Sequence, residues 1–247
     1  MFDRVDAFVQ DLSQAKSLAE LGALLASISS ELGFHYFALT HHVDINSAPK
    51  PAIRLDNYPP EWVAYFDSQK LGVSDPVHRA SHRTSVGFAW SKLSTLIPLT
   101  PRDHEVLALA AQHGIGDGFT VPANVPGESH GSCSFATAPG VWLQADHLAL
   151  AQLVGSFGFE AARRLFGMRH GPGAQPVQLT DRQRDCVVWM ACGKSDWEIS
   201  RILGVSPETV IRHIKMARER YGVGKRTQLA VHALFDGIIS FQDILWR

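Results

Sequence analysis

The stretch that most constrains this chain is residues 195–221, which reads as two short helices hinged at Gly204. Ser195, with Glu198 three residues later, forms a capping box, in which two side chains satisfy backbone N–H groups at a helix start. Ser206 opens the next helix, and Pro207 occupies its first turn, where a missing N–H costs least. Upstream, Thr180 supplies a start for a helix over 181–192 that ends at Gly193. Stepping about 100° per residue from Val210 puts Val210, Ile214, Ala217 and Tyr221 on one face. Glu208, Arg212, Lys215, Met216 and Glu219 fall opposite. Three capped helices with a glycine turn and one polar, basic outer face are the sequence form of a helix-turn-helix, whose second helix enters the DNA major groove.

On that outer face, Arg212 and Lys215 are the candidates for reading base edges, because both donate hydrogen bonds and reach guanine acceptors. Ile211 lies at the border, within reach of a thymine methyl. Thr209, Lys225, Arg226 and Thr227 suit phosphate contacts, with Thr227 expected to cap a last helix whose N-terminus attracts an anion. Charge is split in the same sense. Residues 175–247 hold 11 Lys+Arg against 8 Asp+Glu, and residues 1–174 hold 12 against 16. A basic C-terminal part beside an acidic N-terminal part is expected if only the former touches phosphates.

The segment 168–177 overlaps the run Gly167 to Pro176, whose three glycines and two prolines do not let a helix run through. It is expected as a linker between a domain over 1–167 and a DNA-binding domain over 178–247. Upstream, Leu18, Leu21, Leu25, Ile28 and Leu32 form a helical stripe, and 34–43 reads as a strand with 51–56 as its partner. Residues 76–83 and 101–113 read as helices with Pro at the first turn, 118–122 and 131–137 as strands, and 145–166 as a long helix. Its stripe of Leu148, Ala151, Val154, Phe157, Ala161 and Leu165 is expected to cover the sheet, part of it serving alternatively as a dimer seam. The fold class is therefore α+β: an N-terminal α-β-α sandwich on an antiparallel sheet, then an all-α, four-helix helix-turn-helix domain.

The informative run of the N-terminal part is Asn57-Tyr58-Pro59-Pro60-Glu61-Trp62, then Phe66, Ser74-Asp75-Pro76-Val77, and Val86-Gly87-Phe88-Ala89-Trp90. It supplies one carboxylate, one phenol and two indoles among apolar neighbours, the make-up of a site for a small amphipathic ligand. The same residues also fit core aromatics plus an Asp75 cap on the helix at Pro76.

Two patterns then coincide. Leu179-Thr180, Gly193-Lys194, Glu198-Ile199, Leu203-Gly204-Val205-Ser206, Thr209-Val210, His213 and Lys225-Arg226-Thr227 resemble the LuxR-type helix-turn-helix signature, with Gln183 where that family usually has Glu. Tyr58-Pro-x-x-Trp62, Asp75-Pro76 and Trp90 resemble the autoinducer-binding domain of quorum-sensing regulators. The resemblance implies a transcriptional regulator that binds an N-acyl homoserine lactone. Trp62 would donate to the lactone carbonyl, Asp75 would accept the amide N–H, Tyr58 would donate to the acyl carbonyl, Ser134 would bond the acyl amide region, and Trp90 would pack on the lactone ring. Phe66, where the family commonly has Tyr, and Val77 are expected to make the pocket drier. The implied partners are promoter DNA with an inverted-repeat operator, the autoinducer, a second copy of the chain as a homodimer, and RNA polymerase.

Other classes lack their signatures. His78 and His82 are four apart, but no HExxH or Cys cluster joins them, so neither a metal nor a cofactor is expected. No nucleophile–base motif supports an enzyme such as a lactone-processing one. With three cysteines, no apolar run of membrane-spanning length and no signal-peptide pattern, the chain is expected in the cytoplasm. Two variants of the regulatory reading stay open at this level: a pocket for a non-lactone small molecule, and a ligand that antagonises DNA binding.

Overall fold

A computed structural model describes residues 2–44, 52–125, 128–167 and 177–246. The chain divides into two compact units, 1–169 and 170–247. All but the last residue of the expected linker 168–177 lies outside the described residues.

The first unit opens with α1 (Phe2–Gln14) and α2 (Leu18–Glu31), the latter capped by the Ser17 side chain on the Glu20 N–H. Strand β1 (Tyr36–His41) pairs with β2 (Arg54–Asp56), and short helices α3 (Pro60–Ser68), α4 (Leu71–Ser74) and α5 (Pro76–Ser81) follow. Then come β3 (Phe88–Ala89), a 3-10 turn over Trp90–Lys92, α6 (Leu93–Leu96), α7 (Pro101–Gln112), β4 (Gly118–Ala123), β5 (Gly131–Ala136) and α8 (Ala145–Leu165). The sheet order is β2-β1-β5-β4-β3, with every adjacent pair antiparallel.

Side-chain alternation assigns the two faces of this sheet different work. Phe37, Leu39, Phe119, Val121, Cys133 and Phe135 point into a core closed by Val5, Phe8 and Leu12 of α1, Leu21 and Leu25 of α2, and Val154 of α8. Helix α8 rides close because Gly155 faces Val121, where an added Cβ would lie 2.8 Å from the valine Cβ. That glycine contact corrects the expected stripe: Ala151, Val154 and Ala161 are buried, whereas Phe157 is exposed and Phe159 packs in its stead. On the other face Ala38, Thr40 and Ser134 look toward α3–α7. Because β5 is central, both faces of it are covered and all six of its residues are buried.

The second unit is helical: α9 (Asp181–Ala191), α10 (Asp196–Leu203), α11 (Pro207–Tyr221), α12 (Arg226–Phe235) and a short α13 (Phe241–Leu245). Thr180 and Gln183, and Ser195 and Glu198, form reciprocal capping boxes, and Ser206 caps α11 through the Thr209 N–H. Gly204 and Gly222 end α10 and α11 at φ of 66° and 64°, the left-handed region that a side chain disfavours. Val210, Ile214 and Ala217 bury against Val187, Ile199 and Leu229. The last long helix differs from expectation: Lys225 is its N-cap, and Thr227 stands inside the first turn, exposed. The Gln228 side chain accepts from the Lys225 N–H, which leaves Thr227 no capping role.

Candidate functional site

Between the sheet and helices α3, α4, α5 and α7 lies a cavity of about 900 Å³, counting the space at its mouth. Tyr58, Trp62, Phe66, Asp75, Val77, Trp90 and Ser134, the seven residues singled out in the sequence, all line it. They arrive from three directions. Pro59 and Pro60 start α3 and aim Trp62 inward, one turn before Phe66. The X-Pro step at Asp75–Pro76 starts α5, and β5 presents Ser134 on its pocket face.

Asp75 caps α5 and also lines the cavity. It is buried, and its Oδ1 accepts from the Val77 and His78 backbone N–H groups at 2.9 and 3.0 Å. That cap holds the carboxylate at the start of α5, on the wall of the cavity. Tyr58 is pushed above the ordinary phenol range, first by burial and then by the nearby Asp75 charge, so it stays a neutral donor. Trp62 is buried against Tyr65 at 5.8 Å and edge-on to Phe66 at 6.0 Å.

Trp90 is seated differently from Trp62. Its indole lies on Gly118, where an added Cβ would come 2.5 Å from the ring. Its Nε1–H donates to Thr120 Oγ1 at 2.8 Å, and Thr120 Oγ1 in turn bonds Ser134 Oγ at 2.8 Å. The N–H is thereby consumed, which leaves Trp90 a packing surface. Thr120, fully buried, was not singled out in the sequence; its only local signal is a Thr on the pocket-facing register of a strand otherwise filled by apolar residues.

Phe66 and Val77 contribute apolar wall to the cavity, and polar side chains complete its lining. Thr40, Asp44, Arg54, Asp56, Asp67, Lys70 and His78 also line it. Arg54 bridges Asp56 and Asp67, and Lys70 pairs with Asp44 at 3.6 Å, so both cations among the added charges are ion-paired. These residues come from β2, the end of α3 and the loop after β1.

In the second unit, Arg212, Lys215 and Ile211 are exposed on α11, and the structure brings these three onto one open surface. Lys215 has only a loose i,i+4 contact with Glu219 at 3.9 Å. Thr209 is half-buried, with its hydroxyl on Ser206 Oγ at 3.2 Å, and Lys225 and Thr227 are exposed at the start of α12. Arg226 is placed otherwise: it pairs with Asp196 at 2.7 Å and donates to the Lys194 carbonyl at 3.2 Å, tying α12 to the start of α10. That engagement braces the bundle while the Arg226 side chain stays 38% exposed.

A sheet-and-helix unit around a cavity with an open mouth, followed by a capped helix-turn-helix, is the architecture of a ligand-responsive DNA-binding regulator. Residues 17–165 match the autoinducer binding domain, and residues 177–233 match the bacterial regulatory proteins of the luxR family. The chain belongs to this family of autoinducer-binding, LuxR-type transcriptional regulators, which are not enzymes. It is 27% identical over 219 residues to the transcriptional activator protein LuxR of Aliivibrio fischeri strain ES114, covering 84% of this chain and 82% of that one. It is 28% identical over 194 residues to the quorum sensing-dependent regulator RpaR of Rhodopseudomonas palustris, covering 78% of each. The fold resembles crystalline SdiA of Escherichia coli, with a TM-score of 0.66 at 23% identity over 96% of this chain and 98% of that one. SdiA in complex with octanoyl-rac-glycerol matches at 0.65 and 22% identity, over 97% and 96%. No described helix is long and apolar enough to cross a membrane.

Proposed function

We propose that this regulator binds an N-acyl homoserine lactone in the cavity of its first domain and, as a homodimer, an inverted-repeat promoter site through α11. The observation that carries the ligand reading is the convergence of the capped carboxylate of Asp75 with the phenol of Tyr58 and the indole of Trp62 on one cavity. An acyl homoserine lactone offers the complementary set: one amide N–H and two carbonyls on a small amphipathic body. Asp75 Oδ2 accepts the amide N–H, Trp62 donates to the lactone carbonyl and Tyr58 to the acyl carbonyl. Ser134 bonds the acyl amide region, and Trp90, pinned by Thr120, covers the lactone ring. Phe66 and Val77 flank the chain. The ion-paired Arg54 and Lys70 ends of the cavity favour an acyl group that carries a polar substituent or stops short of them.

The domain limits 1–167 and 178–247, with 168–177 as linker, follow from the same reading. Ligand that binds only the compact, dimer-competent state raises the population able to engage DNA. Two α11 helices related by a two-fold axis meet half-sites one helical turn, or a multiple of it, apart. Arg212, Lys215 and Ile211 then read bases, and Thr209, Lys225 and Thr227 meet phosphates. RNA polymerase and a cytoplasmic location complete the reading. The test is mass spectrometry of the small molecule extracted from the purified full chain, with tryptophan-fluorescence titration of lactones from butanoyl to dodecanoyl. A bound lactone and a saturable change at Trp62 and Trp90 are expected. Failure of every lactone to bind overturns the ligand assignment and leaves the DNA assignment standing.

A further inference from the structure

Behind the cavity, four histidines from three segments form one continuous stack. His78 of α5 stacks on His42, just past β1, with ring centroids 3.8 Å apart and planes 14° apart. His42 is 5.1 Å from His82 at the end of α5, and His82 is 4.2 Å from His130, just before β5. His42 and His78 are buried, and His82 and His130 are exposed, so the stack runs from solvent inward. Its inner end touches the ligand site: His78 lines the cavity and meets Phe66 edge-on at 5.7 Å.

The hydrogen bonds show how many protons the stack tolerates. His42 Nδ1 meets His82 Nε2 at 2.9 Å, and His42 Nε2 meets Ser132 Oγ at 2.9 Å. His78 Nδ1 meets the Gly72 carbonyl at 2.9 Å, and His130 Nδ1 meets Asn124 Oδ1 at 2.8 Å. All of these partners are neutral. Between His42 Nδ1 and His82 Nε2 one nitrogen must accept, so the pair can hold one added proton and not two: two imidazoliums would set donor against donor.

The charges that act on His42 and His82 oppose their protonation, and the carboxylates of the neighbouring segments are engaged elsewhere. From β1 comes His41, and from the α5 side come Arg79, beside Asp103, and Arg83. From the start of α5 comes Asp75, whose Oδ1 is held by backbone N–H groups, and from the loop after β1 comes Asp44, beside Lys70. Glu128 is clamped by Arg163. Burial first, and then the neighbouring imidazoles, push His42 well below the ordinary histidine range and His82 downward. Among the described residues no three His, Cys, Asp or Glu side chains are arranged to hold a metal ion, so the proton is the natural titrant.

We propose that the stack of His42, His78, His82 and His130 is a latch that holds α5 against β1 and β5 while the His42–His82 pair is neutral, and that releases that wall of the cavity as this pair takes up protons. The sign follows from linkage. Open rings titrate near 6.5, whereas the closed stack withholds at least one proton, so closure is fully favoured above that pH and is lost as pH falls through 6.5. For one withheld proton the opening constant rises roughly eightfold between about pH 7 and 5.5. Since α5 carries Val77 and its cap is Asp75, acidification removes the ligand-competent wall without touching the DNA-binding unit.

Hydrogen exchange read by mass spectrometry on the full chain, corrected for intrinsic exchange rates, tests this on peptides covering 36–42 and 76–83. The native chain should show that roughly eightfold rise, and peptides from α9–α12 should show none. His42→Gln, whose amide can keep the Ser132 bond, should reduce the rise to less than about twofold. His82→Gln, a change at the exposed end, must also reduce it, and decides the matter if the buried variant does not fold. A flat profile in the native chain, or an undiminished rise in His82→Gln, overturns the latch.

Discussion

Replacing Asp75 by asparagine separates its helix cap from its proposed ligand contact, because the amide keeps the shape of the carboxylate and one of its acceptors. The amide carbonyl oxygen can still receive the Val77 and His78 N–H groups that Oδ1 receives now at 2.9 and 3.0 Å. Asparagine caps helices about as well as aspartate, so the thermal midpoint of the full chain should barely move. The other position then becomes an NH₂ donor facing the ligand amide N–H. A hydrogen bond to a charged acceptor contributes about 1.5–3 kcal/mol, and its loss inside the cavity leaves two opposed donors. At about 1.4 kcal/mol per factor of ten, lactone affinity should fall roughly ten- to 150-fold. Fluorescence titration with the lactone that binds the native chain most tightly reads this directly. An Asp75→Asn variant that melts like the native protein and binds lactone equally well would refute the pocket assignment; a variant that unfolds would mean that the charge, not the acceptor, sustains the cap.

The other predictions address the supports of each site. Gly118→Ala places a Cβ 2.5 Å from the present Trp90 ring, so the indole must shift; lactone affinity should drop at least about tenfold while circular dichroism stays native, and unchanged affinity would show that Trp90 is not a pocket wall. Thr120→Val leaves the Trp90 N–H without its acceptor and should lower stability by about 1–3 kcal/mol in urea titration. Combining Arg212→Ala with Lys215→Ala should abolish operator specificity, at about 1–3 kcal/mol per lost base contact, in a gel-shift comparison of operator and scrambled DNA. Lys225→Ala should reduce the salt slope of DNA binding by about one unit, whereas Arg226→Ala should lower the melting point of the helical unit and leave that slope unchanged.

The helical unit could be read almost entirely from local signals, because caps, a first-turn proline and C-terminal glycines are properties of a few adjacent residues. Arg226 escaped that reading: its partner Asp196 lies thirty positions upstream, and only the fold reveals that its charge is spoken for. Helix α1 was overlooked although Val5, Phe8 and Leu12 carry a helical spacing, since nothing else in that segment marks it as part of a core. The seven cavity-lining residues are legible through the family pattern, not through periodicity, which treats Trp62 and Trp90 as ordinary core. Thr120 and the polar end formed by Arg54, Asp67 and Lys70 depend on strand register and on the packing of α3 and α4. The histidine stack joins positions 42, 78, 82 and 130, and sequence distance hides such a contact.

The central claim is that occupancy of the first domain's cavity is coupled to DNA binding by α11. Its most direct test is the affinity of the full chain for its operator, measured at fixed salt across a titration of the bound lactone. The affinity should rise and level off at the lactone concentration that saturates tryptophan fluorescence, and Asp75→Asn should move both curves together. Equal operator affinity without lactone and at saturation would contradict the account.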